Sequence, residues 1–163
     1  MKRIGILSDT HCYIHPKTWD FFADCDQIWH AGDFGNLETA KKLASIKPLY
    51  GVFGNIDGTD IRNHFPEYNV FEVEQRKVLI THIGGTPSRY DPRARKLIET
   101  EKPDIFVCGH SHICRVQFDH KNKLMYINPG AAGKYGFHIK LTLIRFVIDG
   151  NEMREMEILE LDK

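Results

Sequence analysis

Short apolar runs alternate with polar stretches along the first third of the chain, and most of the switches carry a boundary signal. Residues 3–8, built on Ile4, Ile6 and Leu7, predict a buried strand. Residues 16–24 predict a helix with Pro16 in its first turn, where a missing N–H costs nothing. Residues 27–30 predict a second strand, and residues 36–45 a helix capped by Asn36 with Glu38 in its first turn. Residues 49–53 predict a third strand, closed by Gly54-Asn55. Strands and helices alternating through short connections imply a parallel sheet.

The pattern then changes. Residues 69–74 and 77–81 predict two strands joined across Gln75-Arg76. Residues 92–101 predict a helix bounded by Pro103, followed by a strand over 104–108. Further strands are expected at 114–118, 124–127, 139–146 and 152–159, with hairpin turns at 119–123 and at Asp149-Gly150-Asn151. The sum is a mixed α/β fold, a two-sheet β-sandwich flanked by helices, in a single domain over residues 1–163. Its β-branched and aromatic hairpins could leave an edge for pairing, so a homo-oligomer is compatible with the pattern.

Composition narrows the function classes. Lys+Arg is 22 and Asp+Glu is 22, a balance that argues against a sequence-blind nucleic-acid binder. The four cysteines, Cys12, Cys25, Cys108 and Cys114, form no C-x-x-C pair, so reduced thiols in a cytoplasmic setting are expected. No secretion signal is read at the start, and the most apolar later stretch, residues 141–148, is too short and polar to span a bilayer.

The polar residues with chemical potential fall where strands are expected to end: Asp9-Thr10-His11, Gly32-Asp33, Gly54-Asn55, His82 and Gly109-His110-Ser111-His112. Ligands bind beyond the carboxyl ends of strands in open α/β sheets, so these ends converge two carboxylates, one amide and four imidazoles on one edge. That set is a metal-ligand inventory. Each block alone also has a bland reading. Asp9 and Asp33 could cap helices, Asn55 could serve a turn, His82 could be a core histidine, and His110 and His112 could decorate a surface loop. The ordered series favours ligands in every case. Gly32, Gly54 and Gly109 are read as sharp turns that place the next side chain in the site.

In order, the blocks D-x-H, G-D, G-N, H and G-H-x-H resemble the signature of calcineurin-like metallophosphoesterases, and the short length resembles their small YfcE-like phosphodiesterase branch. The resemblance implies two divalent ions, with manganese expected and zinc, iron or nickel compatible. Asp9, His11, Asp33 and His112 would hold one ion. Asp33, Asn55, His82 and His110 would hold the other, with Asp33 between the two. It implies hydrolysis of a small phosphodiester, nucleotide-like or otherwise, by a metal-bridging hydroxide, with Asn55 and His82 stabilising the transferring group. Asn128-Pro129-Gly130 resembles a loop of the same branch. The same superfamily includes a retromer scaffold subunit, which gives a binding module as the alternative; a nuclease is a second, disfavoured by the short, neutral chain.

Two positions depart from the wider pattern. Ile56 stands where many members carry a proton-donating histidine after G-N, with Asp57 as a partial substitute. Cys12 stands where a glycine often follows D-x-H, and packing is its favoured role. His30 either orients a ligand from behind or packs as a structural histidine. His15, His64, His120 and His138 read as solvated or structural. Gly84-Gly85 reads equally as a phosphate-facing turn or a plain loop, Arg89 and Tyr90 are disfavoured as substrate contacts, and residues 93–96 read as a solvated helix face.

Overall fold

The computed structural model describes Met1–Lys163. In chain order it runs β1 (Lys2–Leu7), α1 (Lys17–Phe21), β2 (Gln27–His30), α2 (Leu37–Ala44), β3 (Leu49–Gly51) and α3 (Thr59–Arg62). Then come β4 (Tyr68–Val73), β5 (Arg76–Thr81), β6 (Gly85–Thr86), β7 (Arg89–Tyr90), α4 (Pro92–Glu101) and β8 (Ile105–Val107). The last four are β9 (Cys114–Asp119), β10 (Leu124–Pro129), β11 (Lys140–Asp149) and β12 (Glu152–Asp162). One sheet has the order β12-β11-β1-β2-β3, the other β4-β5-β8-β10-β9, and β6-β7 is a small separate hairpin.

Period-two alternation explains the layers. Ile4 and Ile6 of β1, Trp29 of β2 and Phe146 of β11 meet Val78, Ile80, Ile105, Val107 and Ile127 of the facing sheet in one buried cluster. The intervening positions turn outward. Leu7, Ile28 and Leu143 pack with Phe22 and with Leu43 of α2, while Leu79, Phe106 and Tyr126 pack under Ala94 and Ile98 of α4. The expected two-sheet sandwich with outer helices is therefore the architecture. No helix is long and apolar enough to cross a membrane.

Pairing sets the working edge. β1 pairs in parallel with β2, β2 with β3, β5 with β8 and β8 with β10. The loops after β1, β2, β3, β5 and β8 carry all seven candidate residues, as the strand-end reading requires.

Several boundaries differ from expectation. α1 covers only five residues and has no side-chain cap. Beyond it Phe22 turns inward over Gly5, where a Cβ would lie 2.7 Å from the ring, and Asp26 accepts from the backbone N–H of Arg3 at 2.7 Å. The first strand ends at Leu7, β3 ends at Gly51 and β8 spans only Ile105–Val107, so the loops carrying the candidate residues begin one or two residues early. α3 and the β6-β7 hairpin have no counterpart in the sequence reading. Both are too short to show a hydrophobic period.

Candidate metal centre

Asp9 is buried at the end of β1. Its Oδ2 accepts from the Ser8 hydroxyl at 2.6 Å and from the backbone N–H of His110 at 3.0 Å. Its Oδ1 faces Nε2 of His112 at 3.2 Å, and of His11 and His82 at 3.9 Å each. Asp33 presents Oδ2 to Nε2 of His82 at 3.2 Å and of His11 at 3.6 Å, while its Oδ1 accepts from the backbone N–H of Ile56 at 3.1 Å. On the rim, Nδ1 of His110 lies 3.0 Å from Oδ1 of Asn55. The fold thus gathers all seven residues around two buried carboxylates.

Two sets have ligand atoms within 4.8 Å of one another: Asp9, His11 and His112, and Asp9, Asp33 and His82. Asp9 belongs to both, although the family resemblance assigns the shared position to Asp33. Asp33 nevertheless reaches one histidine of each set, His11 and His82.

The side chains are built for a cation. Nδ1–H of His82 donates to the Ala31 carbonyl at 2.7 Å, which turns Nε2 into the site. There, Nε2 of His82 and Nε2 of His11 are buried without a hydrogen-bond partner. Buried polar atoms are rarely left so, and two imidazole nitrogens aimed between two carboxylates match the donor set of a transition-metal site. Burial alone would raise the Asp9 carboxyl pKa. His11 and His112 beside it, the charge of His82 and the Ser8 hydroxyl outweigh that and hold it far below the ordinary carboxylate range. Burial would likewise lower His82, but the adjacent Asp33 and the charge of Asp9 prevail and raise it.

The loops that carry these groups are conformationally unusual. Asp9, His11, Asp33, His110 and His112 all have positive φ, between 44° and 69°. Such backbone is uncommon outside glycine and clusters at functional sites. Of the three glycines read as turns, only Gly32 has positive φ, at 101°. Gly54 and Gly109 are required for space instead: a Cβ at Gly54 would strike the Asp33 carboxylate, and one at Gly109 the Ser8 hydroxyl and then the Asp9 carboxylate.

A surrounding frame was only partly visible in sequence. His30 is fully buried; Nδ1 accepts from the Gly32 N–H at 3.1 Å and Nε2 lies 3.0 Å from the Thr10 hydroxyl. It therefore braces the loops bearing Asp9 and Asp33. Asp57 accepts from the backbone N–H groups of Phe34, Gly35 and Gly54 at 3.1, 2.9 and 2.8 Å. Its carboxylate is a clamp, which removes it as the substitute proton donor. Asn128 holds the histidine loop through the Gly109 carbonyl at 3.0 Å and the Ser111 hydroxyl at 3.1 Å.

His138, read as solvated or structural, sits edge-on to His112 at 5.0 Å between ring centroids and bonds the Gly133 carbonyl at 2.7 Å. Tyr135, not singled out in sequence, covers His11 at 5.0 Å. His15 bonds the Lys17 N–H, His64 bonds the Asp60 carbonyl and His120 packs on Phe118, all away from the centre. Cys12 lies against Gly35 rather than among the ligand groups, and all four cysteines are free. Gly85 receives the Tyr126 hydroxyl and Tyr90 donates to Asp119, so both serve packing.

A cleft of about 710 Å³ opens beside the centre, lined by Asn55 and His82 and by residues of α4. Arg93, Lys96 and Leu97 of that helix line it, so this helix face is a cleft wall rather than only a solvated surface.

Residues 1–151 match the calcineurin-like phosphoesterase superfamily domain. The chain belongs to that superfamily. A probable metallophosphoesterase of Methanothermobacter thermautotrophicus is 28% identical over 138 residues, covering 78% of this chain and 76% of the relative. An archaeal phosphodiesterase structure superposes with a TM-score of 0.73 at 24% identity, over 96% of this chain and 99% of that one. Entamoeba histolytica Vps29 in complex with Zn²⁺ superposes with a TM-score of 0.73 at 17% identity, over 98% of each chain. The two structures share the fold. Superfamily membership carries the coarse activity, hydrolysis of phosphoric esters, and the use of divalent metal.

Proposed function

We propose that the chain hydrolyses a small phosphodiester with two divalent ions, manganese foremost. Asp9, His11, Asp33 and His112 would hold one ion, and Asp33, Asn55, His82 and His110 would hold the other. The observation that carries this reading is the pair of buried, unpartnered Nε2 atoms of His11 and His82 facing Asp9 and Asp33. When bound, the ions draw the phosphoryl oxygens and bring the pKa of a coordinated water to about 7.

The rest is supplied by the chain. The Ala31 carbonyl locks the His82 ring, so its position is set before substrate arrives. Asn55, exposed on the rim with Oδ1 toward His110, keeps its amide N–H for a phosphoryl oxygen. Neither residue that follows Asn55 is a proton donor. Ile56 is apolar and half-exposed, and every Asp57 oxygen already accepts from backbone. The leaving oxygen therefore departs without side-chain assistance from that side, which favours acidic leaving groups.

Elemental analysis of protein purified after manganese loading should show about two equivalents, with turnover of bis(4-nitrophenyl) phosphate. A binding module of the same fold is the competing reading; full metal occupancy with no turnover of any phosphoester would select it. A folded protein that retains no metal would overturn the two-ion assignment.

A further inference from the structure

The cleft beside Asn55 and His82 has a specific charge arrangement. Its lining carries three cations and three carboxylates, but the carboxylates are engaged. Glu67 pairs with Arg93 at 3.3 Å, Glu101 with Lys77 at 3.5 Å, and Asp91 caps α4 through the N–H groups of Arg93 and Ala94. Arg62 and Lys96 are left without an acidic partner.

Arg62 is held in place. Its Nε–H donates to the Asp57 carbonyl at 2.7 Å, and its guanidinium lies 4.3 Å from the centre of the Phe53 ring. One edge and one face of the planar group are thereby fixed, while both Nη groups remain free. Such a fork matches the oxygens of a phosphate or carboxylate. Asp57 also clamps the Asp33 loop, so this cation is indexed to the metal centre through one residue. Phe53, Tyr68 and Leu97 give the cleft apolar walls, and its volume is far larger than one phosphoryl group needs.

We propose that this cleft seats one ester arm of the substrate and selects arms bearing a second oxyanion, with Arg62 as its recognition group and Lys96 as a supporting charge. The substrate class is a phosphodiester in which one alcohol is itself phosphorylated or carboxylated and has an apolar or aromatic skeleton. The inference rests on the phosphodiesterase reading above, and its test separates the two.

The kinetic probes are the 4-nitrophenyl ester of thymidine 5′-phosphate and the same ester carrying a 3′-phosphate. For manganese-loaded protein, kcat/KM should favour the phosphorylated arm by about tenfold or more, the worth of a charge-assisted hydrogen bond. Arg62→Ala should bring that ratio to within about twofold of unity, Arg62→Lys should restore part of it, and Lys96→Glu, on an exposed helix face, should lower it without touching the Asp57 contact. Calorimetric titration with thymidine 3′,5′-bisphosphate and thymidine 5′-phosphate supplies a readout independent of turnover, with the bisphosphate tighter in wild type and the difference lost in Arg62→Ala. Equal kcat/KM values in an active wild type, or equal or absent binding of the two nucleotides, would overturn the arm selection alone. Bisphosphate preference in calorimetry with no hydrolysis of any ester would overturn the phosphodiesterase reading while the recognition site stands.

Discussion

Nε2 of His30 lies 3.0 Å from the hydroxyl of Thr10, and this contact ties the loop that presents Asp33 to the loop that presents Asp9. Thr10 passes its own proton to the Phe34 carbonyl at 3.0 Å, and the His30 ring stacks on Phe34 with centroids 3.6 Å apart. The imidazole is therefore a neutral brace with both nitrogens engaged.

That state sets an acid sensitivity. Burial pushes the His30 pKa from its ordinary 6.5 to about 3. Between those values the unfolded chain binds a proton that the folded chain refuses, so stability falls as pH drops through this window and rises with pH across it. His30→Gln should be less stable at pH 7 by about 1–2 kcal/mol, yet lose less further stability between neutral pH and pH 4. Urea unfolding at several pH values checks this; parallel curves for both proteins would refute it.

Asp57 predicts a stability effect that looks at first like a catalytic one. Removing its carboxylate strands three backbone N–H groups, two of them belonging to the Asp33 loop. Asp57→Ala should cost at least about 3 kcal/mol in chemical denaturation and weaken metal retention in parallel. Loss of turnover with stability and metal content unchanged would return Asp57 to the role of proton donor.

Ile56 sets the leaving-group response. A positioned general acid contributes about 10²–10⁴-fold, most for poor leaving groups, and neither Ile56 nor the clamped Asp57 supplies one. Rates over diesters of graded leaving-group pKa should fall steeply, and Ile56→His should flatten the slope by helping the poorest leaving groups. A flat wild-type series with chemistry rate-limiting would identify another proton source.

Protons compete with metal for His82. Its raised pKa keeps the metal-free imidazole charged to higher pH than an ordinary histidine, and ligation requires the neutral ring. Metal affinity should therefore rise with pH through the neutral range, with proton release on binding. Chelator competition at two pH values, in buffers of different ionisation enthalpy, measures both; affinity independent of pH would contradict the assignment of His82 as a ligand.

Much of the centre was legible because ligand-type residues stand directly after apolar runs, where a parallel sheet must deliver them to one edge. Asp9, Asp33, His82 and the His110–His112 pair needed only that geometry. What local pattern could not show were roles defined by long-range approach. Asp57 reads as an acid near the reaction and is a clamp, because Phe34 and Gly35 come from more than twenty residues away. His138 and Tyr135 reach the centre through the loop joining β10 to β11, whose sequence has no period. Arg93 and Lys96 sit on a helix face whose charge reads as solvated until the cleft below is seen. Gly54 and Gly109 were correctly noticed for the wrong reason, since crowding by the Asp33 carboxylate and by Ser8 and Asp9 leaves no trace in a turn signal.

The left-handed backbone at Asp9, His11, Asp33, His110 and His112 has an evolutionary consequence. Glycine relieves such a conformation, so under the proposed assignment replacing one of the three histidines should relax the chain while it weakens hydrolysis. A library of variants selected only for heat resistance, with metal chelated away, should therefore enrich glycine at His11, His110 and His112, whose side chains hold no backbone N–H, and not at Asp9 or Asp33, whose carboxylates do. A lineage freed from the need to cleave esters would find its most robust descendants along the same path: a rigid platform with the sandwich intact and the chemistry erased.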